Sequence, residues 1–191
     1  MNLVERVKHI LLTPRPEWEV IDAEPTTPAA LYTGYIMPLA AIGPIAQVVG
    51  YSVFGMRFGG SVYRTPIGTA IISAVVTYVL SLAAVYVLAL VIDALAPTFN
   101  GTKNQIQALK VAAYSSTAGW LAGIFALLPG LRALGILGLY GIYLLYLGLP
   151  VLMKVPAEKA GGYTVAVVVA AIVLFFVIGV IGSQFAGMPV G

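Results

Sequence analysis

Five stretches, each about 20 residues or more in length, pass with almost no charge, and no other feature constrains this chain as strongly. They run from Ala29 to Phe54, Pro66 to Leu95, Ala108 to Leu128, Leu131 to Met153 and Tyr163 to Phe185, and their only charged residues are Asp93, Lys110 and Arg132. A helix needs about 20 apolar residues to cross the hydrocarbon layer, so each run is long enough. None shows the apolar/polar alternation of a membrane β-barrel strand. Composition agrees: 60% of residues are hydrophobic and 9% charged, with a mean hydropathy of +0.99, where a soluble domain carries roughly 25% charged residues. The fold class is therefore read as all-α integral membrane: a bundle of five transmembrane helices with a short N-terminal interfacial helix. The arm covers residues 1–28, the membrane domain 29–186 and a short tail 187–191.

The breaks between runs are MRFGGSVYRT, FNGTKNQIQ, PGLR and KVPAEKAGG, and together with the arm they hold the remaining charge. With the N-terminus inside, Arg6, Lys8, Arg15, Lys103, Lys110, Lys154 and Lys159 lie on the inner side and Arg57, Arg64 and Arg132 outside. Seven against three favours an N-terminus in the cytoplasm and a C-terminus outside, by the positive-inside rule. The net charge of +3 reports this topology; ten basic residues scattered singly make no stripe for nucleic acid. Asn100-Gly101-Thr102 matches a glycosylation sequon, but on this topology it faces inward and is read as chance. There is no cysteine, hence no thiol chemistry or disulfide to expect.

In the arm, Leu3, Val7, Ile10 and Leu11 share one helical face, with Glu5, Arg6, Lys8 and His9 elsewhere. That pattern suits a helix lying on the inner membrane surface, and Trp18 suits an interfacial anchor. The prolines of TPRPEWEVIDAEPTTP are expected to prevent the helix from continuing.

Three places in the membrane domain are candidate sites. The first is a polar or ligand cluster of Asp93, Lys103, Lys110 and Tyr114, where the second run ends and the third begins. A carboxylate at a helix C-terminus meets the negative end of the macrodipole and gains from a nearby cation, so Asp93 is expected to pair with Lys103 or Lys110. The second is a broken-helix element at Pro38, Pro44 and Gln47, each proline costing a helix hydrogen bond. The third is a packing seam of Gly138 and Gly141 interleaved with Tyr140 and Tyr143, since small residues three or four apart let helices approach closely.

Enzymatic chemistry finds no support. His9 is the only histidine, five of the seven carboxylates precede Thr26, and no nucleophile, phosphate-loop or metal-site motif is present. No metal or cofactor is expected.

NLVERVKHILLTPRPEWEVI, then FNGTKNQIQALKVAAYSSTAGWLAG, then LYGIYLLYLGLPVLMKVPAEKA before a last apolar helix together resemble the Yip family, the Ypt/Rab-interacting proteins with the Yip-one domain. The resemblance covers nearly the whole chain and implies five membrane helices and a cytoplasmic N-terminus. Eukaryotic members carry a much longer N-terminal region and are tied to Rab GTPases. Here only about thirty such residues precede the first run, so the chain looks like a bacterial-type member in the cytoplasmic membrane, with no expectation of Rab binding. The implied function is that of a non-enzymatic membrane organiser or adaptor binding protein partners, lipids or further copies of itself. The alternative is a small oligomeric transporter or channel using Pro38, Gln47, Asp93 and Lys110.

Overall fold

The computed structural model describes residues 2–58 and 61–186. Gly59 and Gly60 of the first break and the tail 187–191 lie outside the described residues.

The arm folds as two helices, α1 (Leu3–Leu12) and α2 (Pro14–Ala23). Asn2 caps α1 through a capping box with Glu5, each side chain bonding the other's backbone N–H. The expectation that prolines end the helical arm is corrected. Pro14 and Pro16 fall in the first turn of α2, where backbone N–H groups have no intrahelical partner to lose. The helix stops at Ala23, ahead of Pro25.

The first membrane stretch is helical from Pro28 to Phe54 but changes pitch along the way. It contains α3 (Pro28–Leu31), a π turn at Tyr32–Ile36, α4 (Met37–Ala40), α5 (Ile42–Val49) and a second π turn at Gly50–Phe54. Pro38 explains the first change: its ring cannot accept a regular turn beneath it, and the backbone widens so that Met37 N donates to Tyr32 O. Restarting the helix at Ile42 places Pro44 in a first turn, where it costs no bond. A short antiparallel ribbon, β1 (Met56–Phe58) with β2 (Ser61–Tyr63), follows.

Then come α6 (Ile67–Leu95), a 3-10 turn at Ala96–Phe99, α7 (Gln105–Ser115) and α8 (Thr117–Ala122). Two 3-10 segments, Gly123–Leu127 and Pro129–Leu139, lead to α9 (Tyr140–Leu152) and α10 (Ala157–Ala186). Among the described residues, four helical stretches are long and apolar enough to cross a membrane: Pro28–Phe54, Ile67–Phe99, Ala133–Leu152 and Ala157–Ile181. The run expected over 108–128 is not one of them. It is helical in three pieces, broken at Ser116 and tightened after Ala122.

Helices α6, α7, α9 and α10 pack around a core that includes Val85, Ile92, Leu109, Leu144 and Tyr163. On α10, Ile172, Phe175 and Phe176 point outward with 57–72% of their surface exposed, as residues facing hydrocarbon do. The apolar face of α1 joins the core: Ile10 belongs to it, and Leu3, Val7 and Leu11 pack against it. The arm therefore lies against its own bundle through that face, which corrects its reading as a lipid-bound face.

Candidate functional site

The site is built where the arm meets the bundle. Because α1 and α2 turn back on each other at Thr13, Arg6 and Glu17 face one another although eleven residues apart. The Arg6 guanidinium donates to Glu17 and to Glu24, and it lies 5.7 Å from the centre of the Tyr114 ring on α7. Arg6 and Glu17 are both buried. Burial works against the Arg6 cation, but the bond to Glu24 and the negative charges of Glu24 and Glu17, with Tyr114, outweigh it and raise its pKa further.

Lys110, also on α7 and also buried, reaches the other end of α2. Its Nζ donates to the carbonyls of Ile21 and Glu24, at 2.7 Å each. These are among the last carbonyls of α2, which have no helical donor and carry the negative end of its dipole, so an ammonium there both caps the helix and meets its field. Asp22 accepts from Gln107 Nε2 at 2.9 Å and from Lys154 Nζ at 2.5 Å. Trp18 is fully buried, with its indole against Gly148 of α9 and nearly perpendicular to the Tyr114 ring. It does not serve as the interfacial anchor expected of it.

The same end of the bundle gathers two loops. Thr102 N donates to Met153 O at 2.8 Å, joining the Asn100–Asn104 loop to the loop after α9. Asn100 and Lys154 both adopt left-handed backbone, with φ of 61° and 55°. Gly101 is required there, because a Cβ would lie 2.6 Å from Val155 Cγ2 and 2.8 Å from Met153 O. The arm, the FNGTKNQ loop and the KVPAEK loop thus form one continuous face, with Lys8, Arg15, Glu19, Lys103, Glu158 and Lys159 exposed at that end.

Lys110 and Tyr114 come together here, one turn apart on α7, but they face the arm. Asp93 is elsewhere. Its Oδ1 is buried with no hydrogen-bond partner among the described residues, close to Tyr163, whose hydroxyl donates to Ile92 O. Lys103 is exposed, and neither lysine pairs with Asp93, which corrects the expected ion pair. Of the broken-helix residues, Gln47 lines a cavity of about 540 Å³ between α5, α6, α7, α8, α9 and α10. At the glycine seam, a Cβ on Gly141 would lie 2.6 Å from Ser115 O, and one on Gly138 would lie 3.2 Å from Gly119 Cα. Tyr140 donates to Leu11 O at 3.0 Å and stacks at a tilt on Tyr143. Sequence reasoning missed Arg6, Glu17 and Glu24. The signal was present, because Arg6 follows Leu3 by three and precedes Ile10 by four, on the buried face itself.

The Yip1 domain matches residues 8–179, from the arm to the last helix. The chain belongs to the Yip1 family. Among curated Yip1-like relatives, the inner membrane protein YohC of Escherichia coli (strain K12) is 31% identical over 117 residues, 61% of this chain and 60% of that protein. YohC of E. coli O6:H1 (strain CFT073 / ATCC 700928 / UPEC) matches equally. The Yip1 chain described here thus aligns with about 60% of the length of these relatives. No solved structure matches it.

Proposed function

We propose that this Yip1-family protein is a non-enzymatic organiser or adaptor of the inner membrane, which recruits a protein partner through the face made by the arm and the two loops. Supporting this is the construction of that face. A free arm would present a mobile strip, whereas Arg6 ties α1 to α2, Lys110 of α7 holds the end of α2, and Asp22 bonds Lys154 of the loop after α9, itself joined to the Asn100–Asn104 loop through Thr102, so that three sequence-distant segments offer one preorganised surface. The name of the E. coli relatives supports the inner membrane, and the basic residues at this end support a cytoplasmic position for it.

Photo-crosslinking residues placed at positions 8, 103 and 159 in cells test the proposal. One partner captured at two or more of these positions, and lost when Lys8, Lys103 and Lys159 are reversed to Glu, is the expected result. Capture that survives the reversal, or arises only from lipid-facing positions such as 169 and 176, would overturn it. The transporter alternative has less support: of Pro38, Gln47, Asp93 and Lys110, only Gln47 is among the described residues lining the cavity.

A further inference from the structure

The cavity beside α7 is not used by the adaptor reading. Among the described residues, its lining includes Gln47 and four hydroxyl residues but no Lys, Arg, Asp or Glu. Ile142 on α9 and Ile172 and Phe175 on α10 line it and are themselves exposed on the outer surface, so it opens sideways into hydrocarbon and not toward water.

Its shape follows the helices. The lining positions on α6 extend from Thr77 to Leu88 and those on α10 from Val167 to Phe175, about 16 Å and 12 Å of helix at 1.5 Å per residue. A slot of that length, walled by aliphatic side chains, suits a chain lying parallel to the helices. The volume of about 540 Å³ falls within the ordinary range for small-ligand sites.

One polar atom in it lacks an occupation. A serine inside a helix ordinarily donates back to a carbonyl of the preceding turn, as Ser116 does to Ala112 O and Ser81 to Tyr78 O, both at 2.7 Å. Ser115 is only 8% exposed, lines the cavity, and its Oγ has no partner among the described residues. A buried hydroxyl without a partner is costly, which points to a group supplied from the cavity. Depth fits as well. Ser115 lies five residues beyond Lys110, about 7 Å farther into the bundle, and the interfacial layer on each side of the hydrocarbon is about 5–7 Å thick. With Lys110 under the arm, Ser115 stands where the ester groups of a surrounding lipid leaflet lie.

We infer that this cavity binds one acyl tail of a membrane glycerolipid, with the ester carbonyl accepting a hydrogen bond from Ser115 Oγ and the charged headgroup left outside, toward the arm. The site is independent of partner binding at the arm face.

The full-length protein in phosphatidylcholine nanodiscs, doped with a phosphatidylcholine carrying a diazirine in the middle of one acyl chain, provides the test. Irradiation should label Leu145, Val168 and Ala171 on the cavity wall several-fold more than Val165 and Val169 on the outer surface. Ala171→Phe should cut the wall labelling fivefold or more, and Ser115→Ala, which leaves the packing intact, should cut it two- to threefold. Labelling confined to the outer surface, wall labelling unchanged in both variants, or a polyprenol diazirine labelling the wall more strongly than the acyl probe would each overturn the assignment. So would crosslinks between two copies of the chain across that wall.

Discussion

The indole of Trp18 lies so close to Gly148 that a Cβ on the glycine would fall 2.7 Å from Trp18 Cζ2. Trp18 is thereby sealed between α2 and α9, a plug whose socket is defined by the absence of a side chain. Gly148→Ala should push the indole out and weaken arm docking by about 1–3 kcal/mol, the usual cost of overpacking. In a Trp120→Phe background, where Trp18 is the only tryptophan, its emission should move to longer wavelength. An unchanged emission maximum would show that the ring is not held there.

Buried and exposed cations that hold the arm should behave differently. Arg6→Met takes from the buried Glu17 carboxylate its buried cation, leaving only the half-exposed His9 at 3.4 Å, and should loosen the arm by about 3 kcal/mol. Lys110→Met leaves two α2 carbonyls without their donor, at about 1–3 kcal/mol. Lys154 is more than half exposed, so Lys154→Ala should cost no more than about 1 kcal/mol despite its short contact with Asp22. Hydrogen exchange at the α2 amides gives all three values, and equal effects would contradict the order.

Asp93→Asn should leave thermal stability unchanged or raise it, because the carboxylate has a buried oxygen and no cation within reach among the described residues. A clear fall in the unfolding temperature would mean that the carboxylate has a partner.

The glycine seam should be graded by what a methyl group would meet. Gly141→Ala points at a main-chain oxygen, Ser115 O, which cannot rotate away; Gly138→Ala meets Gly119 Cα at the looser 3.2 Å; Gly135→Ala meets nothing within 4 Å. Unfolding temperatures in detergent should fall most for position 141, less for 138 and negligibly for 135.

Hydropathy made the membrane class legible because burial in lipid demands long uncharged runs, and nothing local competes with that demand. The arm was harder. A helix with Leu3, Val7 and Ile10 on one face looks alike whether the face meets lipid or protein, and the hairpin at Thr13 that brings Glu17 to Arg6 leaves no period in the sequence. Pro14 and Pro16 were misleading for a positional reason: the same residue that breaks a helix interior is welcome in its first turn. Lys110 was paired with Asp93 by proximity along the chain, whereas the rotation of α7, set by packing against α6 and α9, turns it toward α2. Ser115 could not have been singled out, since what distinguishes it from Ser116 is a missing hydrogen bond.

The docked arm also fixes a sequence of events during synthesis. Its partners emerge long after it does: Tyr140 holds Leu11 across 129 residues, and Lys154 holds Asp22 across 132. At 5–20 residues per second the arm waits about 7–26 s for the helix that receives it. Arg6 and Glu17 can pair within the arm at once, but Trp18 has no seat until Gly148 of α9 is made, so the first-made segment is among the last to find its place.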